Sequence, residues 1–207
     1  MRTSNILLLL CSLCLSNIAS ADIAYDNLYH ASYQGTLLTK SEAAQGVRLE
    51  PGQGLQINGL SIRISNGTWD VDNTGTLRFA VYTDLAGSPG EMLTAMTIPL
   101  EMPRQTEAVL TVDFSPVKAP TRDVWVGWYF QVAEDTLGTG VTTGGFPLIG
   151  STNNQLALRS NGTGEWSAPS DWFRDPFQIM VLTVPSPATP LCASLGLAFL
   201  ATRRRRE

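Results

Sequence analysis

Apolar and polar residues alternate along most of this chain with a period of two, the spacing of a β-strand with one face in a core. Leu55–Ile64 places Leu60, Ile62 and Ile64 on one side and Ser61 and Arg63 on the other, toward water. Leu77–Tyr82 does the same with Leu77, Phe79 and Val81 inward. Val124–Val132 is apolar on both faces and predicts a central strand. Shorter segments at 23–29, 43–49, 92–100, 108–114, 156–159 and 177–184 are rich in β-branched or aromatic residues and predict six more. Turn formers separate them: Pro51-Gly52, Asn66-Gly67, Asn73-Thr74-Gly75, Asp84 to Gly90, Pro116 to Pro120 and Asn161-Gly162. Residues 83–90 and 134–154 predict loops. No amphipathic helix and no repeat of fixed period is evident. About nine strands at short spacing predict an all-β protein, an antiparallel β-sandwich with a jelly-roll-like path.

The two ends break this pattern. Arg2, an apolar run from Ile6 to Leu15 and the small residues Ala19 and Ala21 form a secretory signal peptide over residues 1–21, cleaved after Ala21. The apolar run is short for a membrane span. Residues 22–184 form the β-sandwich domain. Residues 185–207 form a separate C-terminal segment: prolines, an apolar stretch, then four arginines. The stretch from Thr189 to Thr202 has 14 residues, about 21 Å as a helix. A hydrocarbon core is ~30 Å thick. It is a short transmembrane helix, suited to transient residence, with the arginines held on the cytoplasmic side.

Removing the ends changes the chemistry of what is left. All three cysteines (Cys11, Cys14 and Cys192) lie in them, so the domain has no thiol, disulfide or thiolate metal site and is held by packing alone. Five of the 14 Lys and Arg are lost but only one of the 18 Asp and Glu, leaving nine against 17, a net charge of about −8. Such a surface repels phosphate backbones and argues against nucleic acid as a partner.

Catalytic motifs are missing. The lone histidine, His30, cannot build a multi-histidine zinc site, and no HExxH, GxSxG or phosphate-binding loop occurs. No catalytic residue is assigned. A carboxylate pair leaves no sequence signature, so a secreted glycan-active enzyme is the alternative to a non-enzymatic protein. Asp70 and Asp72 begin an oxygen-rich run, Asp-Val-Asp-Asn-Thr-Gly, that could hold calcium, and a hairpin turn accounts for the same residues. No other cofactor is implied. Asn66-Gly67-Thr68 and Asn161-Gly162-Thr163 fit the glycosylation sequon, but Asn-Gly reads better as a turn. Trp69, Trp166 and Trp172 sit near turns beside amide, carboxylate and guanidinium side chains. They are candidate glycan-binding residues, because an exposed indole stacks on a sugar ring while polar neighbours fix its hydroxyls. Packing at the rim of a sandwich, where tryptophan caps the core, is the preferred account of them.

The C-terminal segment resembles a PEP-CTERM sorting signal. Val184, Pro185, Ser186 and Pro187 match its Val-Pro-Glu-Pro motif, with Ser186 where the family has glutamate. The apolar segment and Arg203, Arg204, Arg205 and Arg206 follow in the family's order. The resemblance implies a bacterial protein exported through the inner membrane, processed there by an exosortase, and placed on the cell surface or in the extracellular matrix with exopolysaccharide. Residues 79–93, Phe-Ala-Val-Tyr-Thr-Asp-Leu-Ala-Gly-Ser-Pro-Gly-Glu-Met-Leu, are similar to a signature of choice-of-anchor β-sandwich domains, a family without assigned catalytic residues.

Overall fold

The computed structural model describes residues 22–28, 41–50, 55–67, 72–132, 139–144, 147–160, 162–170 and 176–184. They build ten strands: β1 Asp22–Asp26, β2 Ser41–Arg48, β3 Gln56–Asn66, β4 Asn73–Leu85, β5 Ser88–Met102, β6 Thr106–Lys118, β7 Asp123–Val132, β8 Thr139–Val141, β9 Ser151–Ser160 and β10 Ile179–Thr183. There is no helix among the described residues. Residues 1–21, expected to be a signal peptide, and the segment after Val184 lie outside them.

The strands form two antiparallel sheets. The first runs β1-β10-β3-β6, with β8 also paired to β3; the second runs β5-β4-β7-β2-β9. The chain changes sheet at every connection except the β4–β5 hairpin. The core lies between the sheets. Leu60, Ile62 and Ile64 of β3 meet Leu77, Phe79 and Val81 of β4 and Val126, Trp128 and Phe130 of β7, all at most 1% exposed. These are the faces that the period of two predicts. β7 occupies the centre of the second sheet, between β4 and β2.

Several expectations change. The strand count is ten because β8 lies within the stretch expected to be a loop at 134–154, and β9 also begins there. That stretch pairs through its backbone, with β3 and β2 respectively, so it needs no apolar period. The loop expected at 83–90 contracts to a two-residue turn, Ala86-Gly87, between paired strands. Asn73-Thr74-Gly75 is not a turn but the paired start of β4, opposite Leu100 to Met102. Ser61 is buried rather than solvated. It lies in register between Met180 and Thr111, and its hydroxyl is 2.8 Å from that of Thr111.

β5 and β6 are edge strands joined by a tight corner at Pro103-Arg104-Gln105. Pro99 in β5 and Pro116 in β6 remove ladder donors, which is tolerated at an edge and discourages pairing with another chain.

A buried polar network ties β1 to the segments before β10. The Gln45 side-chain carbonyl accepts from the Phe177 backbone N–H at 2.7 Å, and its amide donates to the Tyr25 hydroxyl at 3.4 Å. Asn27 donates to the Phe177 carbonyl at 3.1 Å, and the Thr142 hydroxyl donates to the Gln178 side-chain carbonyl. The Gln45 and Asn27 bonds engage the buried Phe177 backbone N–H and carbonyl, and leaving such a group without a bond costs about 1–3 kcal/mol.

Ala86 (φ 53°) and Gly87 (φ 83°) both have positive φ, as a type I′ hairpin turn requires. A Cβ in the left-handed region costs roughly 1–2 kcal/mol. Ala86→Asn, which installs the favoured Asn-Gly pair, is expected to raise the unfolding free energy by about 0.5–1 kcal/mol. Urea denaturation at equilibrium measures this, and unchanged or lowered stability would contradict it.

Candidate functional site

The outward face of the second sheet holds the polar chemistry. On a strand, alternate residues share a face. Glu42, Ala44, Gly46 and Arg48 of β2 therefore face away from the core, as do Arg78, Ala80, Tyr82 and Asp84 of β4. Asp123, Trp125 and Gly127 of β7 lie between them, and Ala157 and Arg159 of β9 lie beyond β2. Ala157, Ala44, Gly127 and Ala80 are paired in register across four adjacent strands. This row of small residues separates two polar clusters.

The first cluster is centred on Glu42, whose side chain is fully buried. Arg159 donates to Glu42 Oε2 from Nε (2.8 Å) and from an Nη (2.6 Å). Tyr82 donates its hydroxyl proton to Glu42 Oε1 and accepts from the same Arg159 Nη at 2.8 Å. Arg78 stands 3.9 Å from Glu42. Above them the Arg159 guanidinium lies 4.4 Å from the centroid of Trp166, which meets Tyr82 edge to face at 5.2 Å. Gly127 makes room: a Cβ there would come within 2.8 Å of the Tyr82 ring and 3.2 Å of Glu42. Burial, then the hydrogen bond to Glu42, pushes the Tyr82 hydroxyl well above its ordinary pKa. Tyr82 is therefore a fixed neutral donor at physiological pH.

Trp166 is carried by the segment after β9, which folds back along that strand. Ser167 N–H donates to the Leu158 carbonyl at 2.7 Å, and Leu156 and Ser170 exchange backbone bonds at 3.1 Å. Trp166 packs against the outward patch of Ala44, Ala80, Tyr82, Trp125 and Ala157, all buried although their parity turns them away from the core.

The second cluster borders a cavity of about 310 Å³ at the other end of this face, between β4, β7, β2 and β9. Its polar wall comes from Arg48, Asp84, Asp123, Ser151, Thr152 and Asn153, with the edge of Trp125 at its base. Asp84 is held by two donors, Trp125 Nε1 at 2.9 Å and the Gly87 N–H at 3.2 Å. That second bond is the physical role of the aspartate in the Asp-Leu-Ala-Gly turn. Asn153 is held by Gln155, accepting its N–H and donating to its side-chain carbonyl, both at 3.0 Å. Arg48 and Asp123 form a looser pair at 3.6 Å, with side chains 62% and 48% exposed. Gly46 lets Asn153 approach the indole, since a Cβ there would lie 2.9 Å from Asn153 Oδ1 and 3.3 Å from Trp125.

The expected site residues are placed unevenly. Trp166 is half-buried, with Arg159 over its ring. Trp69, Trp172 and Asp70 lie outside the described residues, as do the sorting and cleavage residues apart from Val184. Val184 donates its N–H to the Gln56 carbonyl at 2.8 Å, at the end of the first sheet. Asp72 Oδ1 accepts from the Arg104 N–H at 2.8 Å, so it braces the β5–β6 corner. Among the described residues no three His, Cys, Asp or Glu side chains come together as a metal centre would need. Asn66, in the first sequon, is buried and donates to the Met102 carbonyl at 3.0 Å. Sequence reading missed Glu42 and the cavity. The available signal for Glu42 was its alternation with Ala44 and Gly46, a face too small-sided for solvent.

The class this geometry defines is a two-sheet antiparallel all-β protein with a covered outer face. Compared with protein-family models, with characterised proteins and with solved structures, the chain matches none.

Proposed function

We propose that this chain is an exported, non-enzymatic protein of the bacterial cell surface or extracellular matrix, sorted by an exosortase and associated with exopolysaccharide. The observation that carries the reading is the order of the C-terminal segment: Val184-Pro185-Ser186-Pro187, a short apolar stretch, then Arg203 to Arg206, opposite a signal peptide at residues 1–21. The protein passes the inner membrane, resides there briefly through its short helix, and is then processed. Between the signals lies a thiol-free sandwich. Its strand order, with β8 and β9 set aside as insertions between β7 and β10, supports a jelly-roll-like path. That scaffold positions binding sites on its faces and does not by itself specify chemistry.

Deleting the exosortase from the expressing strain tests the reading. The full-length form should then accumulate in the inner-membrane fraction and disappear from the surface and medium. Unchanged release would contradict it. A second reading has one observation in its favour: Asp84 and Asp123 border one cavity, as the carboxylates of a glycan-active enzyme would. Asp84, however, already accepts two hydrogen bonds that fix its side chain in place, which suits recognition better than proton transfer. Release of reducing ends from polysaccharide by the purified protein would establish the enzymatic reading.

A further inference from the structure

We infer that the cavity between β4, β7, β2 and β9 is a binding site for a neutral saccharide, gripped through its hydroxyls rather than by stacking. This rests on the surface-protein reading above and names the place and chemistry of its ligand site. Three observations lead to it. The first is size: about 310 Å³ lies at the small end of the range for ligand sites and suits one or two sugar rings. The second is rigidity. Asp84 and Asn153 are already fixed by their own hydrogen bonds, so little ordering entropy is lost when a ligand arrives. The third is the kind of groups offered. Asp84 and Asp123 accept, Arg48 donates and Asn153 does both, which matches a vicinal diol that gives and takes at adjacent hydroxyls.

Charge and shape narrow the class further. Two carboxylates face one guanidinium at this cavity, and the domain as a whole is acidic. A uronate or sulfated sugar is therefore repelled. Trp125 is 1% exposed, so its ring offers no flat platform and its contribution is to hold Asp84. The wall formed by Ser151, Thr152 and Asn153 belongs to β9, one of the two strands added to the eight-stranded frame. The insertion therefore adds one wall to a site whose other walls come from β2, β4 and β7.

The mature protein purified from the expressing strain is titrated with cello-, manno- and galacto-oligosaccharides, and with trigalacturonate as the anionic control. The readout is the indole N–H resonance of Trp125, identified by its loss in Trp125→Phe. At least one neutral series should shift that resonance saturably, and trigalacturonate should not. Arg48→Ala and Asn153→Ala, both on exposed side chains and so expected to fold normally, should each weaken binding by about tenfold, the worth of one hydrogen bond to a charged or fixed group. No shift with any neutral series overturns the proposal. So does a shift that both variants leave unchanged, or a preference for trigalacturonate. An exported, processed protein that is silent to every sugar would end the site while leaving the sorting reading intact. A protein that binds but is not processed would do the reverse.

Discussion

Glu42→Ala is expected to lower the unfolding free energy by about 3–5 kcal/mol, the cost of removing one partner from a buried ion pair. The reason lies in what remains. Arg159 keeps a side chain only 14% exposed, now without the carboxylate that accepts two of its hydrogen bonds. Tyr82 loses the acceptor for its hydroxyl in a site without water access. Both are left with desolvated, unmatched polarity. The pair itself stabilises far less than this number, because removing two charges from water offsets most of their attraction. The double variant Glu42→Leu with Arg159→Met should therefore recover much of the loss, so the two sites should be strongly coupled in a double-mutant cycle. Equilibrium denaturation in urea measures Glu42→Ala, the double variant and the single variants Glu42→Leu and Arg159→Met. A loss below about 1 kcal/mol for Glu42→Ala would mean that the cluster behaves like an exposed surface pair.

Above pH 10 the protein is expected to lose stability steeply. Tyr25 and Tyr82 are both raised well above the ordinary tyrosine value of 10.0, Tyr25 chiefly by burial and Tyr82 by burial and the bond to Glu42. A raised folded-state pKa means that the folded protein holds these protons after the unfolded chain has released them. Their contribution is thus fully present below pH 10 and is lost as pH climbs from 10 toward the folded-state values. Each group contributes a slope of up to about 1.4 kcal/mol per pH unit in that window, or about 2.7 kcal/mol per unit together. Tyr82→Phe should halve the slope while costing stability at neutral pH. Denaturation midpoints that stay flat from pH 9.5 to about 11.5 would contradict the burial of these two hydroxyls.

The two-sheet frame was legible because its signal is local. The alternation in β3 and β4 and the doubly apolar run of β7 state which faces are buried, and the core follows directly. What stayed hidden depends on partners remote in sequence. Glu42 and Arg159 are 117 residues apart, and a single glutamate between Ser41 and Ala43 carries no mark of being paired. Residues 134–154 lack a period because β8 and the start of β9 are placed by backbone pairing rather than by an apolar face. β7 reads as apolar on both faces, and nothing in its own segment reveals that Trp166, from the segment after β9, packs on the outward patch that includes Trp125. The turn at Ala86-Gly87 was masked by neighbours of turn-forming type. Asp84 braces that turn through Gly87 and also holds Trp125, a partner 41 residues away, and so the cavity it borders was invisible.

The central claim concerns where the protein is sent, and the chemistry of its surface matters because of that destination. Mass spectrometry of the C-terminus of the exported, surface-associated protein tests it most directly. The account predicts a chain that begins at Asp22, ends between the Pro-Ser-Pro motif and the apolar stretch, and lacks Arg203 to Arg206. An exported protein that keeps those four arginines would contradict it.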